Sequence, residues 1–184
     1  MVGGFQRSLK GEDCFATRQD IRVLLPDELR GDSGLLRLLI DSCEATGKSA
    51  IELKRVPMDQ VSAYGVVTVT DGSPADGPFG ICGVVEKPKK EDAPSDLIIL
   101  GRYVLTPEIF ADIDALKPHA NGEYQLTDAL LAQGLRNELL GLLTTTKRWD
   151  TGTPAGWLEA VLDAAASQPQ VNQMMTEWFK KNLS

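Results

Sequence analysis

Apolar and polar positions along the chain fall into short runs whose period switches between that of strands and that of helices. Ile21-Arg22-Val23-Leu24-Leu25 is a compact apolar run stopped by Pro26, and it predicts a buried strand. Leu35, Leu36, Leu39, Ile40 and Cys43 then recur at helical spacing, with Asp32 or Ser33 as a cap and Gly47 as a stop. Ser49 to Leu53, Val66 to Val69, Ile81 to Val85 and Ile98 to Leu105 read as strands, and Asp71 to Pro78 reads as a turn cluster. Thr106-Pro107-Glu108 has the form of a helix start, followed by the face Ile109, Phe110, Ile113 and Leu116 and ended by Lys117-Pro118. Leu126, Ala129 and Leu130 predict a helix closing near Gly134, and Leu139 to Thr145 predicts a further strand. Thr153-Pro154 repeats the cap-and-proline start ahead of Trp157, Leu158, Val161, Leu162 and Ala165, a stripe that Pro169 stops. Val171, Met174, Met175, Trp178 and Phe179 make a last helical stripe, with Lys180 and Lys181 in the final turn where cations suit the helix dipole. This stripe reads as core or subunit interface.

Strands alternating with helices indicate an α/β domain, and the run of strands from Ser49 to Leu105 adds a partly antiparallel portion. Composition changes this picture little: 42% hydrophobic and 24% charged residues are ordinary for a globular chain of 184 residues. Charge excludes more. A net charge of −7 argues against binding a nucleic acid polymer, yet leaves room for a small phosphorylated substrate served by a few local lysines. No apolar run approaches the roughly 18 residues a membrane span needs. Cys14, Cys43 and Cys82 are odd in number and form no CxxC pair, so neither a disulfide framework nor a structural zinc site is expected. His119 is the one histidine, which excludes a multi-histidine metal site, and its setting reads as a solvated loop. The first residues lack the apolar run of a secretory signal, and a reducing cytoplasm is the expected compartment.

Three stretches carry candidate chemistry. Asp27, in Leu24-Leu25-Pro26-Asp27-Glu28-Leu29, follows a predicted strand directly, and the carboxyl ends of strands are where open α/β sheets bind ligands. A hard oxygen ligand there suits Mg²⁺ with nucleotide phosphates, while on spacing alone Asp27 reads as a turn residue after proline. Glu86 and Lys87, in Val84-Val85-Glu86-Lys87-Pro88, can place a carboxylate on sugar hydroxyls and an ammonium on a phosphate, or form a surface ion pair of little consequence. Asp150, in Arg148-Trp149-Asp150-Thr151-Gly152, can share a metal with Asp27, while locally the stretch reads as a loop leading into a capped helix.

Together and in order, these motifs resemble the second half of bacterial UTP–glucose-1-phosphate uridylyltransferases, from about Ile21 to near Ala166. The other signposts are Val61-Ser62-Ala63-Tyr64-Gly65-Val66, Ala93-Pro94-Ser95-Asp96-Leu97, Gly101-Arg102-Tyr103-Val104-Leu105-Thr106-Pro107 and Gly122-Glu123-Tyr124-Gln125-Leu126-Thr127-Asp128. The resemblance implies a partial Rossmann-like, glycosyltransferase-A-like nucleotidyltransferase domain, a mixed sheet flanked by helices. The expected organisation is an irregular segment over residues 1–19, a truncated nucleotidyltransferase domain over 20–166 and an amphipathic helix over 167–184. It further implies Mg²⁺ on Asp27 and Asp150, a close approach of the sugar to the Gly65 backbone, glucose hydroxyls on Glu86, and the sugar phosphate neutralised by Lys87 as the catalytic cation. The implied partners are glucose 1-phosphate and UTP or UDP-glucose, joined by in-line attack on the α-phosphate with loss of pyrophosphate.

The family's G-x-G-T-R loop and the segment that reads the base have no counterpart here, and Gly3-Gly4 and Thr17-Arg18 are only superficial echoes. Two readings therefore stand: an enzyme making UDP-glucose, or a non-catalytic remnant or partner subunit that binds sugar phosphate or a full-length relative. A truncated or misread gene product is a third origin of the same pattern. A strand at Ile21–Leu25, central in such a sheet, would lack its parallel neighbours, so homo-oligomerisation or pairing with a full-length relative is expected.

Overall fold

A computed structural model describes residues 20–30, 34–70 and 77–182. The irregular segment over 1–19, the caps Asp32 and Ser33 and most of the Asp71–Pro78 turn cluster lie outside the described residues. The strands are β1 (Ile21–Leu24), β2 (Glu28–Arg30), β3 (Ser49–Arg55), β4 (Gly65–Val69), β5 (Pro78–Glu86), β6 (Leu97–Leu105), β7 (Leu139–Leu143) and β8 (Arg148–Asp150). The helices are α1 (Gly34–Thr46), α2 (Ile109–Asp114), α3 (Leu126–Leu135), α4 (Pro154–Ala166) and α5 (Pro169–Asn182). They form two compact units. One holds the described residues up to Leu24 and from Gly34 to Thr145; the other holds those between Leu25 and Ser33 and from Thr146 onward.

The first unit is built on a sheet ordered β1-β6-β3-β7-β5-β4, with β4 also touching β6. Among the described residues only β3 and β7 run parallel, Ala50 beside Leu140 and Leu53 beside Leu143, and the other pairings are antiparallel. Burial explains the arrangement. β6, fully inside the sheet, is buried at all but one of its nine positions, the continuous apolar pattern of a strand covered on both faces. Leu35, Leu39 and Cys43 of α1 close one face over Ala50, Val104, Leu140 and Leu142. Val61, Val66, Ile98 and Leu100 make a second cluster under Tyr64. The α1 helix ends as its sequence predicts: Gly47 has φ 65° and its N–H donates to the Cys43 carbonyl at 2.8 Å.

Two expectations are corrected. β1 is neither central nor buried: among the described residues it pairs with β6 alone, antiparallel, and only Val23 is buried while Leu24 is half-exposed. An apolar run with Arg22 inside it has one buried position in alternation, the pattern of an edge rather than of a core strand. Thr106 does not cap a helix. It is buried, its N–H donates to Ser49 Oγ at 3.0 Å, and α2 starts at Ile109 after a tight turn closed by the Ile109 N–H on the Thr106 carbonyl.

The second unit pairs β2 with β8 antiparallel and carries α4 and α5. Thr153 is the expected cap, its Oγ1 accepting from the Gly156 N–H at 3.1 Å with Pro154 in the first turn. Pro169, expected to end the α4 stripe, also opens α5. Lys147 pairs with Asp163 and lies over the Trp149 ring at 5.3 Å, and the Trp149 indole N–H donates to the same carboxylate at 2.6 Å. Those bonds hold the Asp163 carboxyl below the ordinary carboxylate range, the Lys147 ammonium contributing most. Among the described residues no helix is long and apolar enough to cross a membrane.

Candidate active site

Gly65 opens β4 and faces Glu86 at the end of β5. The chain turns sharply after Glu86: Lys87 has φ 44°, and its N–H donates to the Tyr64 carbonyl at 3.0 Å. A left-handed lysine is strained by about 1–2 kcal/mol, and the Tyr64 bond together with buried Pro88 holds it there. The turn leaves the ammonium 64% exposed and 4.0 Å from Glu86 Oε1, too long and too wet for a strong pair. Both groups therefore remain available to a ligand. Gly65 is crowded by protein as well: a Cβ there would stand 3.1 Å from Thr127 Cγ2, 3.2 Å from Ile99 Cδ1 and 3.3 Å from Glu86 Oε2. Thr127 lies in the first turn of α3, and Asp128 beside it pairs with His119 at 2.6 Å, so the exposed His119 loop is tied to that helix start.

Asp27 and Asp150 meet in the second unit. The β2–β8 ladder places Glu28 opposite Asp150, and the Thr151 N–H donates to the Asp27 carbonyl at 2.8 Å. Asp150 Oδ1 accepts from the Gly152 N–H at 3.1 Å. A Cβ at residue 152 would lie 3.2 Å from Asp150 Oδ1 and 3.6 Å from Asp27 Oδ2, so the two carboxylates border one small space. Among the described residues no group of three or more His, Cys, Asp or Glu side chains is placed to hold a metal. Two carboxylates do fit Mg²⁺, which takes one or two from a protein and fills its remaining positions with phosphate oxygens and water.

The structure thus brings together Gly65, Glu86 and Lys87 in the first unit, and Asp27 and Asp150 in the second. Sequence reasoning missed the β2–β8 ribbon and two residues that shape it. Arg148 is nearly buried, its Nε 3.2 Å from Glu28 Oε1 and its Nη2 3.6 Å from Asp150 Oδ2. Gly156 admits no side chain, because a Cβ there would fall 1.9 Å from the Asp150 carbonyl oxygen. A glycine three residues after a Thr-Pro helix start was the available signal for the second; three-residue strands left none for the first.

A family model described as nucleotidyl transferase matches residues 7–167. The chain belongs to the nucleotidyl transferase family. Its mixed sheet with flanking helices is that nucleotidyl transferase fold. Among curated relatives, a UTP–glucose-1-phosphate uridylyltransferase of Streptococcus pneumoniae serotype 4 is 38% identical over 171 residues, which is 90% of this chain and 57% of that protein. A protein of Methanocaldococcus jannaschii named as a putative enzyme of the same type is 40% identical over 151 residues, 81% of this chain and 52% of its own length. Among solved structures, UTP-bound UGPase from Acinetobacter baumannii superposes with a TM-score of 0.77 at 30% identity, over 90% of this nucleotidyl transferase chain and 57% of the other. A UDP-glucose pyrophosphorylase complexed with UDP-glucose gives 0.74 at 32% identity, over 88% and 60%. The chain therefore spans a little over half the length of the relatives it matches.

Proposed function

We propose that this nucleotidyl transferase chain acts in UTP–glucose-1-phosphate uridylyl transfer, forming UDP-glucose and pyrophosphate. The observation that carries the reading is the turn at Glu86-Lys87, which presents an accessible carboxylate and ammonium side by side next to the buried backbone of Gly65. Glu86 accepts hydrogen bonds from glucose hydroxyls, Gly65 lets the sugar ring lie against the strand, and Lys87 neutralises the phosphate. Names and bound ligands of the similar proteins support that substrate pair.

Asp27 and Asp150 would hold Mg²⁺, which when bound supplies charge neutralisation at the nucleotide phosphates. The protein's part is positioning and electrostatics: Lys87 orients the attacking phosphate oxygen, and Glu86 fixes the ring so that attack is in line. Two free cysteines among the described residues, Cys43 and Cys82, agree with a reducing cytoplasm as the place of action.

Titration of the chain with UDP-glucose in Mg²⁺ tests this assignment. Saturable heat at millimolar ligand, lost with Glu86→Gln, is expected; no heat in the native chain overturns it.

One observation favours association as well. Trp157, Leu158 and Val161 on α4, and Met174, Trp178 and Phe179 on α5, are all exposed. The α5 stripe is expected as core or interface; exposed on their unit, the two stripes suit a second copy or a full-length relative. Sedimentation of the native chain as a dimer or larger, and of Trp178→Glu as a monomer, is expected; a monomeric native chain that forms no complex with a full-length relative removes this reading.

A further inference from the structure

The segment from His119 to Glu123 is fastened to itself. The His119 N–H donates to the Glu123 carbonyl at 2.8 Å, and the Gly122 N–H donates to the His119 carbonyl at 2.8 Å. Asn121 adds two bonds: its Oδ1 accepts from the Glu123 N–H at 3.0 Å, and its Nδ2 donates to Glu123 Oε2 at 2.9 Å. Gly122, at φ 77°, supplies the left-handed residue that the turn requires. With its own N–H and carbonyl both engaged, the His119 backbone is held, and the imidazole leaves it from a defined point.

The start of α3 is less well fastened. Gln125, at its N-cap, makes no capping side-chain bond. Asp128 is the acid of the first turn, and its Oδ2 accepts from His119 Nε2 at 2.6 Å. A carboxylate only accepts, so the ring carries its proton on Nε2. Thr127 directly precedes Asp128. Its Cγ2 stands 3.1 Å from the place that a Cβ on Gly65 would take, and Glu86 Oε2 stands 3.3 Å from the same place. The first turn of α3 is therefore one wall of the space that Gly65 and Glu86 border, and a residue outside that space holds the wall.

We propose that His119 is a positioning residue for the sugar side of the site. Through Asp128 it holds Thr127 against Gly65 of β4 and Glu86 of β5, and so sets the width of the space that receives a sugar ring. The inference rests on the reading of Gly65 and Glu86 as sugar-binding groups. In it His119 touches no substrate and acts through Asp128. Both side chains of the pair are about two-fifths exposed, so its strength is that of a surface hydrogen bond to an ionised acceptor. Such a bond shifts a binding constant a few-fold and does not decide whether the chain folds.

The test is calorimetric titration of the full chain with UDP-glucose, at a temperature where circular dichroism shows every variant folded. His119→Ala is expected to weaken UDP-glucose about 5-fold. His119→Gln keeps an N–H donor at similar reach, and its affinity is expected within about 2-fold of the native chain. Adding His119→Ala to Asp128→Ala is expected to cost nothing further, because the two side chains act as one contact. Native affinity in His119→Ala overturns the proposal. A His119→Gln chain as weak as His119→Ala overturns it as well, since a donor on Asp128 would then not be what matters. Losses that multiply in the double variant do the same, because His119 would then act apart from Asp128. A native chain that binds no UDP-glucose overturns the sugar reading together with this inference, whereas the three preceding outcomes leave the sugar reading standing.

Discussion

Gly65 and Glu86 face each other across the β4–β5 ladder, and a side chain on the first would come within 3.3 Å of the carboxylate of the second. Thr127 and Ile99 close in from two other directions at 3.1 and 3.2 Å. Gly65→Ala therefore overpacks the site on three sides at once. It is expected to lose about 1–2 kcal/mol of stability in urea unfolding, and to weaken UDP-glucose more than that loss of folded chain explains, since Glu86 is displaced. Unchanged stability and affinity would show that the pocket around Gly65 yields freely.

Lys87 allows its proposed binding role to be separated from stability. Its left-handed backbone suits glycine, so Lys87→Gly removes strain as it removes the cation. The variant is expected to unfold at native stability or up to about 1 kcal/mol above it, while glucose 1-phosphate binding falls at least about 10-fold. Stability lost along with binding would mean that the lysine side chain serves the fold.

Gly156 ties the first turn of α4 to Asp150. Backbone at 1.9 Å cannot give way as a flexible side chain does, so Gly156→Ala must move α4 or β8. A loss of about 3 kcal/mol or more is expected on unfolding, with weakened Mn²⁺ uptake in the fraction that remains folded. Native Mn²⁺ affinity in that variant would separate Asp150 from the helix.

Cys43 sets an alkaline limit. Burial between α1 and the sheet, reinforced by the nearby Asp20 carboxylate, pushes its thiol from 9.0 up to about 12. A raised pKa means that the folded chain prefers the protonated form. Its contribution is fully present below pH 9.0 and is lost as pH rises toward about 12. The native chain should therefore lose stability across that window more steeply than Cys43→Ala, and Cys43 should resist thiol reagents at pH 8 until the chain unfolds. Equal slopes for the two chains would contradict this.

The sheet was legible in the sequence because its strands are covered by apolar neighbours. β6 carries an apolar run interrupted at Arg102, β3 carries Ala50, Ile51 and Leu53 within its buried stretch, and α1 carries a complete stripe with a glycine stop. Glu86 and Lys87 were legible because charge breaks such a run at its end. The same reasoning predicted a buried strand at Ile21–Leu25, and the family resemblance made it central; an apolar run does not state how many neighbours it has. The second unit was hardest to read. β2 and β8 are three residues each, too short for a period, and their partnership depends on pairing across more than a hundred residues. Arg148 meets Glu28 and Asp150 only through that register, so neither its burial nor those two contacts could be foreseen from Arg148-Trp149-Asp150.

The most direct measurement is pyrophosphate release by the purified chain from UTP, glucose 1-phosphate and Mg²⁺, with Asp27→Asn run in parallel. Turnover that requires glucose 1-phosphate and falls at least about 100-fold in Asp27→Asn is the expected result. No release by the native chain, or equal release by both chains, would contradict uridylyl transfer at this site.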